Sequence, residues 1–419
     1  MRMEQMSSRA RRRNVFARIR NRSPMYLARY AALRVNAILD AAQLEYPLLP
    51  QDLADSREVR ESPERMAITG ARPRIAWLAI PPGPGSGGHT TQFRMMESAR
   101  AVGFDNTLLF YDRHNGDFDH YAHIVRTSWP WLVADIHPVE AKITGFDAVV
   151  ATSWPTAHVL ARRGVEGKRI YFIQDYEPYF MPRGSEYAYA EDSYRFGFRN
   201  IALGNMVHDL LASELGVTSD LVPFGCDTQT YRLEPHGPRS GIVFYAKRGN
   251  DRRGYQLAMR ALELFHSDHP NVPIHAYGEV VTTESFPVVN HGSVSPDQLN
   301  LLYNSVIAGL ALSFTNISLV AEELLAAGVV PIINDTKLAR ADLANPYAVW
   351  ANATPRALAD ALGTAVTHPA RDSIAAAAAA TVVGRSWGPT GRLVATVIAE
   401  EVGARLVEGR QLGDAAPRQ

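Results

Sequence analysis

From Arg74 onward the chain alternates short apolar runs of strand length with amphipathic stretches of helix length, a pattern that leaves few architectures besides α/β. Arg74 to Ile80 (RIAWLAI) reads as a strand buried on both faces, followed by the glycine-rich stretch Pro81 to His89 and a helix from Thr90 to Ala101. Asn106 to Tyr111, Asp147 to Ala151, Arg169 to Gln174, Ile201 to Leu203 and Asp220 to Pro223 supply further strands, with helices at Thr156 to Arg163 and Met206 to Leu215. Arg232 to Ser240 (RLEPHGPRS) has the proline and glycine chemistry of a linker. A second series then begins with strands at Gly241 to Ala246, Pro273 to Tyr277, Ala308 to Leu312 and Val329 to Ile333. Helices at Tyr255 to Phe265, Gln298 to Asn304 and Leu319 to Ala327 alternate with them, and two alanine-rich helices follow, Pro355 to Thr367 and Ala370 to Val383. The prediction is two Rossmann-like halves, residues 73–232 and 233–385, facing across a cleft, after a basic, partly helical extension over residues 1–72.

Composition narrows the chemistry. Of 419 residues, 46% are hydrophobic and 21% charged, enough to bury a full core. Cys226 is the single cysteine, which excludes an internal disulfide framework and multi-cysteine metal sites and points to a reducing compartment. The histidines show no metal-ligand spacing, and no metal or cofactor is expected. No apolar run reaches the roughly 18 residues of a membrane span, and no secretory core is visible near Met1. Charge is balanced overall but uneven. Eight arginines against Glu4 give residues 1–23 a charge of +7, so residues 24–419 carry −7. If helical, Val15, Phe16, Ile19, Tyr26 and Leu27 would line an apolar stripe among those arginines, as on a helix lying on an anionic membrane surface, with Pro24 as a possible break; a solvated tail is the competing reading. No basic body continues the tail, so no nucleic-acid partner is expected.

Four segments carry chemistry. The stretch Pro81 to His89 lies at a strand-to-helix turn, where the backbone can approach an anion, though it fits neither the Walker nor the dinucleotide fingerprint. Lys247, Arg248, Arg252 and Arg253 place four cations after a strand, suited to a diphosphate. Thr315, Asn316 or Ser318 can cap the helix that holds Glu322 and Glu323. Asp175 and Glu177 end a strand among Tyr176, Tyr179 and Phe180, a pairing of carboxylates with aromatic faces that suits sugars.

Taken together, Gly87-Gly-His-Thr-Thr-Gln92, Phe172-Ile-Gln-Asp-Tyr-Glu-Pro-Tyr-Phe180, Tyr194-Arg-Phe-Gly-Phe198, Arg252-Arg-Gly254 and Ser313-Phe-Thr-Asn-Ile-Ser-Leu319 with Glu323 and Gly328 resemble the bacterial glycosyltransferases of family 4. They look like its surface-glycan rhamnosyltransferase branch, the WsaF-type enzymes. The resemblance runs from about residue 74 to residue 402 and implies a GT-B fold, a retaining transfer without metal, and a helix over residues 386–410 that returns to the first half. Carried over, Lys247 with Arg252 or Arg253 contacts the donor diphosphate, and Glu323 binds the ribose. Thr315, Asn316, Ser318 and Leu319 lie on the donor loop, while Gly88, His89 and Asp175 lie near the acceptor. The implied donor is dTDP-rhamnose and the acceptor a lipid-linked cell-envelope glycan, at the inner face of the cell membrane. In many family members a glutamate stands eight residues before Glu323; here Thr315 stands there, as in the rhamnosyl branch. A catalytically inactive nucleotide-sugar-binding subunit and a GT-B enzyme using a GDP- or UDP-sugar are the competing readings.

Overall fold

The computed structural model describes residues 23–39, 46–60, 72–235 and 237–406. Residues 1–50 and 51–419 form separate compact units. In the first, helix α1 (Pro24–Leu39) begins at its proline, a position that the fixed φ and missing N–H favour. Val15, Phe16 and Ile19 lie outside the described residues. Residues 46–60 hold a bend, a short 3-10 turn (Pro50–Asp52) and a further turn at 56–58.

The second unit carries two large parallel sheets and a two-stranded parallel ladder of Lys142–Ile143 with Gly164–Val165. In chain order the first half runs β1 (Arg74–Ala79), α2 (Gly87–Ala101), β2 (Asp105–Phe110), α3 (Phe118–Ser128), β3 (Asp135–Pro138), β4 (Ala148–Ala151), α4 (Trp154–Arg162), β5 (Lys168–Ile173), α5 (Ser185–Ser193), β6 (Arg199–Leu203), α6 (Asn205–Leu215) and β7 (Asp220–Val222). Its sheet order is β3-β2-β1-β4-β5-β6-β7. The second half runs β8 (Ile242–Ala246), α7 (Tyr255–Asp268), β9 (Ile274–Gly278), β10 (Val289–Gly292), α8 (Pro296–Ser305), β11 (Ala308–Leu310), α9 (Leu319–Ala326), β12 (Val330–Asn334), α10 (Lys337–Arg340), β13 (Val349–Ala351), α11 (Pro355–Thr367) and α12 (Arg371–Ala380). Its order is β10-β9-β8-β11-β12-β13. Central strands are apolar on both faces because helices cover both, and β4 and β12 are buried throughout.

The strand order reverses between β1 and β4 in the first sheet and between β8 and β11 in the second. At such switch points the loops leaving the carboxyl ends diverge to opposite faces and open a crevice. The glycine stretch follows β1, the four cations follow β8, and the Ser313–Ser318 loop follows β11. Three of the four candidate segments therefore sit at switch points, and the fourth follows β5, next to β4. Helix α13 (Trp387–Val402), the last among the described residues, packs on α2 of the first half, where Gly391 lies against Ser98.

Candidate active site

Helix α2 starts three residues earlier than the sequence pattern indicates, so Gly87, Gly88 and His89 form its first turn, with amides that have no intrahelical acceptor. The His89 ring fastens this turn. Its Nε2 lies 3.0 Å from the Ile80 carbonyl, which can only accept, so Nδ1 accepts the Ser86 hydroxyl at 2.8 Å. Burial lowers the His89 pKa against the Ile80 bond, leaving a neutral ring whose two nitrogens are both engaged. Gly88 is exposed, and a Cβ there would meet only the Gln174 side-chain oxygen at 3.9 Å, which places the glycine turn beside the loop that follows β5.

That loop crosses to the second half. Asp175, 4% exposed, accepts from the Arg252 guanidinium and the Thr315 hydroxyl, each at 2.8 Å, and from the Asn316 amide at 3.3 Å. Asn316 Nδ2 also donates to the Gln174 carbonyl at 2.9 Å. Burial raises the Asp175 pKa, opposed by Arg252, Thr315, Arg253 and the Asn316 amide. The loop is braced from behind. The Glu177 amide donates to the Tyr194 hydroxyl at 2.9 Å, and that hydroxyl donates to the Asp175 carbonyl at 3.3 Å. Glu177 itself accepts the Trp154 amide at the start of α4 at 2.6 Å, and burial pushes its carboxyl up to about 8.

The four cations after β8 divide their work. Lys247 is exposed at the strand end. Arg248 turns onto the Tyr255 hydroxyl and the Val280 carbonyl, away from the other three. Arg252 is held by Asp175, and Arg253 donates to the Ser313 hydroxyl at 2.9 Å. Burial and the neighbouring Arg252 bring the Arg253 pKa down to about 10, so it remains a cation at neutral pH. Ser313 is fixed by Asn334 at the end of β12, which accepts its amide and donates to its carbonyl. The chain then reaches Ser318, the buried N-cap of α9, which makes no side-chain cap bond. The Leu319 and Val320 amides have no intrahelical acceptor, so this end of α9 presents partial positive charge beside Thr315 and Asn316.

Glu323 is half-buried on the next turn and receives no hydrogen bond among the described residues; burial lifts its pKa to about 7, with Arg94 opposing and Asp227 and Glu322 reinforcing. Arg94 comes from α2 of the first half and pairs with Asp227 at 2.8 Å. Asp175, Arg252, Thr315 and Asn316 thus meet directly, Arg253 and Ser313 stand beside them, and Ser318 and Leu319 follow one turn on. Glu323 lies in a second cluster with Arg94. Lys247 and His89 have no direct contact with the Asp175 group. Sequence reading missed Arg94 and Asn334 as supports and quoted Tyr194 only within a motif, since each acts through a partner on another element of the fold. Among the described residues no group of three or more His, Cys, Asp or Glu is placed to hold a metal ion.

Comparison with known proteins agrees with this architecture. The WsaF N-terminal domain model matches residues 133–206, and the WsaF C-terminal domain model matches residues 240–363. The chain is 27% identical over 358 residues to the O-antigen biosynthesis protein RfbC of Myxococcus xanthus, covering 81% of this chain and 28% of that protein. The chain therefore spans little more than a quarter of this curated relative. Among solved structures, Anabaena HepE in complex with UDP and glucose superposes with a TM-score of 0.56 at 13% identity, covering 79% of this chain and all of that one. WaaG, a glycosyltransferase involved in lipopolysaccharide biosynthesis, gives 0.53 at 14% identity, over 77% of this chain and 99% of its own. The fold is GT-B, and each half of the chain is similar to the corresponding WsaF domain.

Proposed function

We propose that the chain transfers L-rhamnose from dTDP-rhamnose to a hydroxyl of a lipid-linked cell-envelope glycan, with retention and without a metal, as the family 4 rhamnosyl branch does. One observation carries the reading: the loops after β5, β8 and β11 converge through Asp175, Arg252, Thr315 and Asn316, with Arg253 and the amide end of α9 alongside. As the sugar–oxygen bond breaks, positive charge develops on the sugar and negative charge on the departing diphosphate. Arg253, Lys247 and the amides at Ser318 and Leu319 stabilise that diphosphate, and Arg252 links them to the first half. Glu323 accepts the ribose hydroxyls. Asp175 orients the acceptor, against a wall formed by Gly88 and the turn that His89 fastens.

The same reading assigns the N-terminal unit to the anionic inner face of the membrane. Eight arginines occupy residues 1–22, and α1 exposes Met25, Leu33, Ile38 and Leu39. No helix of the described residues is long and apolar enough to cross a bilayer. Co-sedimentation with phosphatidylglycerol vesicles should fall when residues 1–22 are deleted, whereas binding to phosphatidylcholine vesicles should be weak with or without them.

A thermal-shift panel of dTDP-, GDP- and UDP-linked sugars tests the donor, because a ligand that binds only the folded state raises its Tm. dTDP-rhamnose should give the largest rise, and Arg253→Ala should remove most of it. If no nucleotide sugar raises Tm, the reading is wrong. Binding without turnover on any glycan acceptor would instead indicate a nucleotide-sugar-binding partner subunit.

A further inference from the structure

Within residues 51–419 every described aromatic side chain is buried or half-buried except three: Tyr179, Phe180 and Phe314, exposed by 36%, 41% and 42%. Exposed aromatics scattered singly would mean little. These three come from both halves, and two of them meet at Arg252, Phe180 through its ring and Phe314 through its backbone. The Arg252 guanidinium stacks 4.2 Å from the Phe180 ring centroid, and the Arg252 carbonyl accepts the Phe314 amide at 2.9 Å. Tyr179 is next to Phe180 and packs edge-on to Tyr176 at 4.8 Å. Phe314 keeps its place because Gly254, at φ 64°, lacks the Cβ that would come within 2.9 Å of its ring.

We propose that this rim is a subsite for a pyranose ring of the acceptor glycan, beside the transfer site; the inference rests on the function proposed above. A pyranose has an apolar face of C–H bonds and an edge of hydroxyls. The negative faces of aromatic rings attract the former. The Arg252 guanidinium, partly exposed against the Phe180 ring, donates to the latter. An alkyl chain would need continuous apolar lining, which a guanidinium and the adjacent Asp175 interrupt. The rim therefore fits the sugar portion of an acceptor and not its lipid.

n-Octyl α-L-rhamnopyranoside below its micelle-forming concentration carries both portions, and saturation-transfer NMR on the full chain distinguishes which one the rim touches. Saturation should reach the ring C–H protons. Phe314→Leu and Phe180→Leu keep apolar bulk but lose the π face, and each should weaken that signal about fivefold. Phe314→Tyr should preserve it, and Tyr179→Ala should weaken it without disturbing the Arg252 stack. The Tm rise given by dTDP-rhamnose should be equal in all these variants, which also shows that they fold. Saturation of the octyl protons with unchanged leucine variants would overturn the proposal in favour of a lipid contact. A normal nucleotide-induced rise without any ring saturation would overturn it and leave the proposed transfer standing. No nucleotide-induced rise in the unaltered chain would count against the transferase reading itself.

Discussion

Two buried carboxylates two residues apart have been given different tasks by their surroundings. Asp175 accepts from a guanidinium, a hydroxyl and amides, whereas Glu177 has a single strong donor, the Trp154 amide, and stands next to Asp175's charge. Its folded pKa, about 8, lies above the roughly 4.3 of an unfolded glutamate. Between those values the unfolded chain releases a proton that the folded chain keeps, so this group makes stability fall as pH rises, and below the lower value it contributes nothing. Glu177→Gln retains an acceptor for Trp154 and removes the ionisation. The variant's Tm relative to the parent should therefore climb steadily from pH 5 to pH 8.5; a difference that does not change with pH refutes the assignment. Glu323 gives a test in the opposite sense for binding. The proposed function has Glu323 accept ribose hydroxyls, and its pKa of about 7 means that this carboxylate is lost on acidification. Nucleotide affinity should drop between pH 8 and pH 6, and Glu323→Gln should flatten that dependence while weakening binding at pH 8.

At the scale of elements, what could be seen in advance depended on burial. β1, β4, β8 and β12 are apolar on both faces over most of their length, so a short apolar run rich in aliphatic and aromatic residues identifies them. The edge strands β3 and β10 have mostly exposed residues, and Asp135–Pro138 and Val289–Gly292 carry no comparable run. Helix α5 (SEYAYAEDS) has little apolar stripe to betray it. The candidate site was legible in its parts because strand-end loops follow from strand order alone. Its pairings were not, since Asp175 and Arg252 are 77 residues apart and only the folded chain brings them together. Helix α13 shows the same limit: its sequence indicates a helix but not how closely it approaches α2. A Cβ at Gly391 would lie 1.9 Å from Ser98 Oγ and 2.5 Å from Ser98 Cβ. Gly391→Ala should cost about 1 to 3 kcal/mol through overpacking, measured by urea unfolding, and Ser98→Gly should recover part of it. An unchanged midpoint would show that α13 can slide on α2 without penalty.

For the whole molecule, the two halves are joined by an exchange of carboxylates. Asp175 of the first half enters the second, and Asp342 of the second enters the first, where it accepts the Asn205 and Met206 amides that open α6. The amide end of a helix welcomes an anion, and these bonds offset the burial that raises the Asp342 pKa. Gly204, at φ 89°, makes room both for that carboxylate and for the Phe224 ring of the first half: a Cβ there would lie 2.8 and 2.9 Å from the carboxylate oxygens and 2.4 Å from the ring. Reciprocal contacts constrain a two-body assembly more than one contact, because loss of either leaves the other as a pivot. Asp342→Ala and Gly204→Ala remove the same contact from opposite sides, so their effects on the spacing of the halves should not add. Spin labels on Leu221→Cys and Val280→Cys, exposed sites on either half, report that spacing, while buried Cys226 is shielded from labelling. Each single variant should broaden the distance distribution to a similar extent, and the double variant should broaden it no further. Full additivity, or a distribution as narrow as the parent's, would mean that Asp342 caps α6 without governing how the halves meet, leaving Asp175 and the returning helix to hold them around the site.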